Sequence, residues 1–188
     1  KLGIRLTVIG FFLQTQMTKL EVTREVSTRI PTDYGDFQLC FYSNTQDSKE
    51  HLALFMGDPS KHQSVLARVH SECFTGDVLG SRRCDCGEQL DGSMKMISDI
   101  GVGVIVYLRQ EGRGIGLLEK LRAYNLQDEG LDTVDANLEL GHEADARDYS
   151  LAAHIFRDLG VSSVDLITNN PGKINALEDL GIVVAKRV

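Results

Sequence analysis

Residues 102–116 read Val-Gly-Val-Ile-Val-Tyr-Leu-Arg-Gln-Glu-Gly-Arg-Gly-Ile-Gly. Val102 to Leu108 is a continuous apolar run holding four valines or isoleucines. A strand with one wet face alternates apolar and polar residues. An unbroken run marks a strand covered on both faces, as in sheets sandwiched between helices. The glycine-rich turn behind it opens into Gly116 to Gln127, which reads as a helix. Strand, turn and helix in that order predict an α/β core.

The same grammar repeats downstream. Ala146 to Leu159 reads as a helix with Leu151, Ile155 and Leu159 on one stripe. Val164 to Thr168 reads as a second buried strand, Lys173 to Leu180 as a short helix, and Ile182 to Ala185 as a strand. Upstream the chain reads as β. Phe37 to Tyr42, His51 to Met56 and Ser64 to Val69 are short runs between polar stretches such as Gly57-Asp58-Pro59-Ser60. Gln89 to Ile100 then reads as a helix, with Leu90, Met94 and Ile97 at i, i+4 and i+7. The expected fold is α/β, bordering on α+β. It is one domain with a mixed β-sheet, antiparallel N-terminal strands and flanking helices.

Composition bounds the function. The chain has 188 residues, 42% of them hydrophobic, enough for one substantial core. Its net charge of -7 argues against a nucleic-acid partner, because duplex affinity comes largely from clustered Lys and Arg on phosphates. No apolar run approaches the ~20 residues of a transmembrane helix, so no membrane partner is expected. Leu6 to Leu13, apolar behind Lys1 and Arg5, superficially resembles a signal peptide but lacks a clear small-residue cleavage site. Residues 1–16 read as a leader, Met17 as a natural first residue, and residues 17–188 as the catalytic domain.

Of four cysteines, Cys73, Cys84 and Cys86 crowd into fourteen residues rich in charge and glycine. In a reducing, cytoplasmic setting that pattern reads as metal binding rather than bridging. Cys40, in a strand-like run, reads as a small core residue. Thiolates hold zinc tetrahedrally at about 2.3 Å. Three of them leave a fourth position for water, the mark of a catalytic site. A closed structural site completed by His70 or Cys40 is the alternative, and three ordinary buried thiols a further one. His70-Ser71-Glu72-Cys73 also carries the His-x-Glu of zinc nucleobase deaminases, but those complete the site with Cys-x-x-Cys, whereas this chain has Cys-x-Cys.

Two loops suit an anion. Residues 110–116 place three alternating glycines and Arg113 before a helix N-terminus. Residues 168–173, Thr-Asn-Asn-Pro-Gly-Lys, repeat the arrangement after the next buried strand, where α/β sheets bind ligands. Each also reads as a plain tight turn. Asp145 reads as the N-cap of the helix from Ala146. Arg147 would then sit in the first turn, where a cation is unfavourable by ~0.3–1 kcal/mol unless Asp148 or a bound phosphate compensates it. These features beside a zinc site point to a polyphosphate substrate.

Arg68-Val69-His70-Ser71-Glu72-Cys73, Arg83-Cys84-Asp85-Cys86-Gly87, Arg109-Gln110-Glu111-Gly112-Arg113 and Thr168-Asn169-Asn170-Pro171 closely resemble GTP cyclohydrolase II, in order and spacing. The likeness runs from about Ile30 to Val188. The resemblance implies opening of the imidazole ring of GTP, with loss of formate and pyrophosphate, as the first step of riboflavin synthesis. It implies one zinc ion per chain, magnesium and a homodimer. By position, Cys73, Cys84 and Cys86 match zinc ligands. Arg68, Val69, His70, Ser71, Glu72, Glu111, Gly112, Arg113, Thr133, Thr168 and Lys173 match GTP contacts, and Gln89 the reader of guanine. Asp145 matches the proton acceptor, Arg147 the nucleophile toward the α-phosphate, and Tyr124 a tyrosine near the reacting base. Arginine is a poor nucleophile because it stays protonated, so an electrostatic clamp is an equal reading of Arg147. Family members are often fused behind a 3,4-dihydroxy-2-butanone 4-phosphate synthase. A deaminase and a non-catalytic zinc-stabilised nucleotide-binding module remain the alternatives.

Overall fold

A computed structural model of the chain describes residues 19–143 and 145–188. The leader reading of residues 1–16, and Met17, lie outside the described residues. Seven strands form one sheet: β1 (Val22–Thr32), β2 (Gly35–Asn44), β3 (His51–Met56), β4 (Val65–Ser71), β5 (Gly103–Leu108), β6 (Ser163–Leu166) and β7 (Val183–Arg187). Six helices accompany them: α1 (Phe74–Asp77), α2 (Cys86–Ile100), α3 (Leu117–Asp128), α4 (Thr133–Glu139), α5 (Ser150–Asp158) and α6 (Pro171–Asp179). The spatial order is β1-β2-β3-β5-β4-β6-β7. β1, β2, β3 and β5 pair antiparallel. β5, β4, β6 and β7 run parallel. The mixed sheet with an antiparallel N-terminal half is therefore the fold expected from the sequence.

β5 shows why an unbroken apolar run was needed. Val104, Val106 and Leu108 face a core shared with Leu151, Ile155 and Phe156 of α5 and Leu177 of α6. Ile105 faces the opposite side, against Ile97 of α2, Phe37 and Leu66. Each such side chain, once buried, contributes roughly 1.5–3 kcal/mol of transfer free energy. Cys40 is fully buried in the first of these cores. Gly103 marks the contact with α2, since a Cβ there would lie 2.6 Å from Ile97 Cγ1 and 2.8 Å from the Leu66 carbonyl oxygen.

The sequence reading does not contain β1, α1 or α4, and its largest boundary shift is at the start of α5. β1 escapes periodicity analysis because its sequence, VTREVSTRIPT, is polar and mostly exposed at the sheet edge. α4 is too short for an apolar stripe; the Asp132 carboxylate caps it by accepting from the Val134 and Asp135 N–H groups. The helix expected from Ala146 begins at Ser150. Tertiary hydrogen bonds hold the preceding segment out of the helix. Ala146 N–H donates to the Arg113 carbonyl, and Asp148 N–H to Gln110 Oε1. Asp145 is thus not a helix N-cap, and Arg147 does not sit in a first turn. Nor does Asp148 compensate Arg147; it binds the Ser150 N–H and hydroxyl at the start of α5.

Candidate metal and nucleotide site

The site gathers at the carboxyl ends of β4, β5 and β6. The end of β4 delivers Ser71, Glu72 and Cys73; α1 and a turn return the chain to Cys84 and Cys86. The three sulfurs lie within 4.8 Å of one another, Cys73 and Cys84 at 3.5 Å. Tetrahedral zinc with 2.3 Å bonds requires sulfurs about 3.8 Å apart, so the group fits. Backbone is shaped to admit it. A Cβ on Gly76 would lie 2.9 Å from Cys84 Sγ and 3.1 Å from Cys73 Sγ, filling the space between the sulfurs. A Cβ on Gly87 would strike the Gly76 carbonyl oxygen at 2.6 Å.

Neither His70 nor Cys40 joins the sulfurs. His70 is buried, with Nε2 on the Asp77 carboxylate at 3.0 Å and Nδ1 accepting from Arg68 Nε at 3.1 Å. Both ring nitrogens are spent, which removes the closed site with His70 and also the deaminase-like use of His70 as a ligand. Asp77 accepts besides from Tyr107 Oη at 2.8 Å and from the Cys73 N–H at 3.0 Å. It therefore ties the first cysteine to two strands. Burial raises the Asp77 carboxyl, but the His70, Cys73 and Tyr107 hydrogen bonds outweigh that and hold it below its ordinary value.

A cavity of about 270 Å³ opens beside the sulfurs. Ser71, Glu72, Cys73, Cys84, Cys86, Glu111, Gly112, Arg113, Tyr124, Thr133 and Arg147 line it, which brings eleven of the residues singled out in the sequence onto one wall system. The loop carrying Glu111 to Gly114 is a short 3-10 turn in which Gly112 and Arg113 have φ of 61° and 60°. Arg113 holds a left-handed backbone despite its side chain, a strain typical of binding loops. Tyr124 is held between two cations, with Arg83 4.8 Å and Lys120 5.7 Å from its ring centroid.

The other seven residues singled out in the sequence do not line this cavity. Arg68 donates to Gln89 Oε1, and Gln89 Nε2 donates to Asp85 at 2.6 Å. The Gln89 amide is thus oriented, with one acceptor lone pair and one N–H left over. Lys173 Nζ donates to the carbonyl of Val69, whose side chain is core. Burial, helped by repulsion from Arg68 and Arg147, pushes the Lys173 ammonium down to about 7. Thr168 is buried, its hydroxyl accepting from the Asn170 N–H. Asp145 accepts from Arg147 Nε at 2.8 Å and from the Arg147 N–H at 3.1 Å. Burial raises Asp145, the Arg147 hydrogen bonds lower it, and the net is a carboxyl below its ordinary value. Arg147 is correspondingly held charged.

Three further residues shape the site: Lys120 and Asn137, which the sequence reading does not single out, and Gln110, which it quotes only within the glycine-rich loop. Lys120 Nζ stands 3.0 Å from Cys73 Sγ and 2.7 Å from Glu111 Oε1. Buried Asn137 brings to the cavity an amide with no hydrogen-bond partner among the described residues. Gln110 links the end of β4 to the segment before α5, through Ser71 Oγ and the Asp148 N–H. On their helices Lys120 and Asn137 look like ordinary polar positions, and only the Asp132 cap before α4 hints at an element there.

Comparison with known proteins follows the same geometry. The family model of GTP cyclohydrolase II matches residues 23–188. Riboflavin biosynthesis protein RibBA of Bacillus mycoides (strain KBAB4) is 58% identical over 167 residues, covering 89% of this chain and 42% of that protein. RibBA of Chlorobium phaeovibrioides (strain DSM 265 / 1930) is 51% identical over 189 residues, covering 100% of this chain and 46% of that protein. The chain spans less than half the length of these relatives. Among solved structures, RibBX, a two domain 3,4-dihydroxy-2-butanone 4-phosphate synthase from A. baumannii, aligns with a TM-score of 0.50 at 24% identity. That alignment covers 89% of this chain and 40% of RibBX, and the likeness is one of fold alone.

Proposed function

The chain belongs to the GTP cyclohydrolase II family, and on that premise we propose that it opens the imidazole ring of GTP, releasing formate and pyrophosphate as the first step of riboflavin biosynthesis. The observation that carries this reading is one cavity lined both by the three thiols and by Arg113, Thr133 and Arg147. Cys73, Cys84 and Cys86 would hold zinc, and the ion would supply Lewis acidity at the base. The remaining residues bind and orient. Gln89, fixed by Arg68 and Asp85, offers its free acceptor and N–H to the amide edge of guanine. Arg68, Lys173 and Arg147 lie close enough to repel one another, a cationic group that a polyphosphate would neutralise, and magnesium would offset the remaining phosphate charge. Tyr124 stands near the reacting base.

Arg147 is read as a clamp. A nucleophilic guanidine must lose a proton, yet Asp145 holds Arg147 toward its charged form and is itself a weak base. The working form is read as a homodimer in the cytoplasm. Among the described residues, no helix is long and apolar enough to cross a membrane.

Product analysis tests the reading. Incubation with GTP, zinc and magnesium is expected to yield formate and pyrophosphate together, and Cys84→Ser to lose both the metal and ring opening. Ammonia release in place of formate would move the protein to the deaminase class. GTP binding without turnover would make it a nucleotide-binding module. Ring opening by protein shown to hold no metal would overturn the zinc assignment.

A further inference from the structure

Lys120 is held more tightly than its place on α3 requires. Its ammonium lies 3.0 Å from Cys73 Sγ and 2.7 Å from Glu111 Oε1, with a side chain only 11% exposed. Glu111 is itself fixed, accepting from the Phe74 N–H at 2.6 Å and from the Gly112 N–H at 2.9 Å. The third direction of the ammonium is bounded by the Tyr124 ring. A long flexible side chain gives up much rotamer freedom to be so boxed. Among the described residues no other lysine is hydrogen-bonded to a sulfur.

The chemistry of the donor set explains the arrangement. Three thiolates outweigh the two charges of zinc and donate strongly, which blunts its Lewis acidity relative to a site of neutral imidazoles. An N–H group aimed at a ligating sulfur withdraws charge from it, and such outer partners commonly alter affinity or activity about 10- to 100-fold. We propose that Lys120 is a positioning residue of the metal site, whose ammonium, anchored by Glu111, donates to the Cys73 thiolate and restrains its donation to the ion. The proposal rests on the reading of the cysteines as metal ligands. It ties the nucleotide loop, through Glu111, to the first metal ligand.

The test uses the cobalt(II)-loaded protein, in which sulfur-to-metal charge transfer reports thiolate donation directly. Wild type, Lys120→Arg, Lys120→Met and the double variant Lys120→Met/Glu111→Gln are compared, the last to avoid stranding a buried carboxylate. In both Met variants the charge-transfer band is expected at longer wavelength with one cobalt per chain retained. Lys120→Arg is expected to keep the wild-type position. With zinc, kcat for GTP should fall tenfold or more in Lys120→Met while KM stays within about twofold. Loss of cobalt in the Met variants but not in Lys120→Arg also supports the proposal. An unmoved band in metal-bound Lys120→Met overturns it, and a raised KM with that unmoved band makes Lys120 a substrate ligand instead. Loss of cobalt from all three variants reduces Lys120 to packing. Wild type that binds no cobalt sinks the proposal together with the metal reading. A band that shifts as expected in protein that never opens GTP leaves the proposal standing and sinks the proposed activity.

Discussion

Asp77 is a carboxylate with almost no access to water, kept because three donors converge on it. Its depressed folded value means that it contributes stability above the ordinary carboxylate value of 3.8, and that this contribution is lost as pH falls below it. Asp77→Asn should cost ~2 kcal/mol in urea denaturation at neutral pH, in line with hydrogen bonds to a charged group. It should also flatten the acid limb of stability. Lys173 titrates in the opposite sense. With its ammonium pushed down to about 7, the free protein loses that cation as pH rises through neutrality. kcat/KM for GTP is therefore expected to fall across that range. Lys173→Met should remove this limb and raise KM roughly ten- to a hundredfold, the worth of one charge-assisted contact. A profile with the same alkaline limb in both proteins would assign it elsewhere. The cysteine spacing was legible at this scale because all three thiols fall within fourteen residues. Lys120 was not, since it meets Cys73 across the fold, and neither was Asn137, whose amide reaches the cavity from α4; each looks like any polar helix residue.

At the scale of elements, α1 is a single turn whose work is to bring Gly76 against the sulfurs. Gly76→Ala should weaken zinc binding tenfold or more in chelator competition while leaving the metal-free protein about as stable as wild type. Gly103→Ala is the converse. Its Cβ meets a backbone oxygen and Ile97, so overpacking should cost ~1–3 kcal/mol of stability with metal affinity unchanged. Equal effects of both substitutions on both quantities would show that cradle and core are not separable. The buried strands could be read from unbroken apolar runs and α2 from its period, because burial on two faces or on one imposes each pattern. β1 could not, being an edge held by ladder hydrogen bonds with little apolar content. The start of α5 was misread because hydrogen bonds from residues far along the chain override local preference there.

At the scale of the molecule, the parallel half of the sheet sends β4, β5 and β6 to one end, so the three cysteines, the Glu111 to Gly114 loop and Thr168 converge where α/β sheets bind ligands. Arg147 reaches the same cavity from the segment before α5. Arg147→Ala should leave zinc bound yet suppress pyrophosphate release, by about ten- to a hundredfold if it clamps and by far more if it attacks. Near-normal release would remove Arg147 from the chemistry. The sheet order also bears on how the chain reaches this state. β4 lies between β5 and β6, and Val65 finds its partner Val164 far along the sequence. Loop closure of that kind must be completed before its contacts repay it, which slows folding toward milliseconds to seconds. Throughout that interval the three thiols stand without their cradle. A chain whose later strands have not yet docked is therefore most open to stray oxidation or miscoordination, so reductant present during refolding is expected to raise the yield of protein that binds metal.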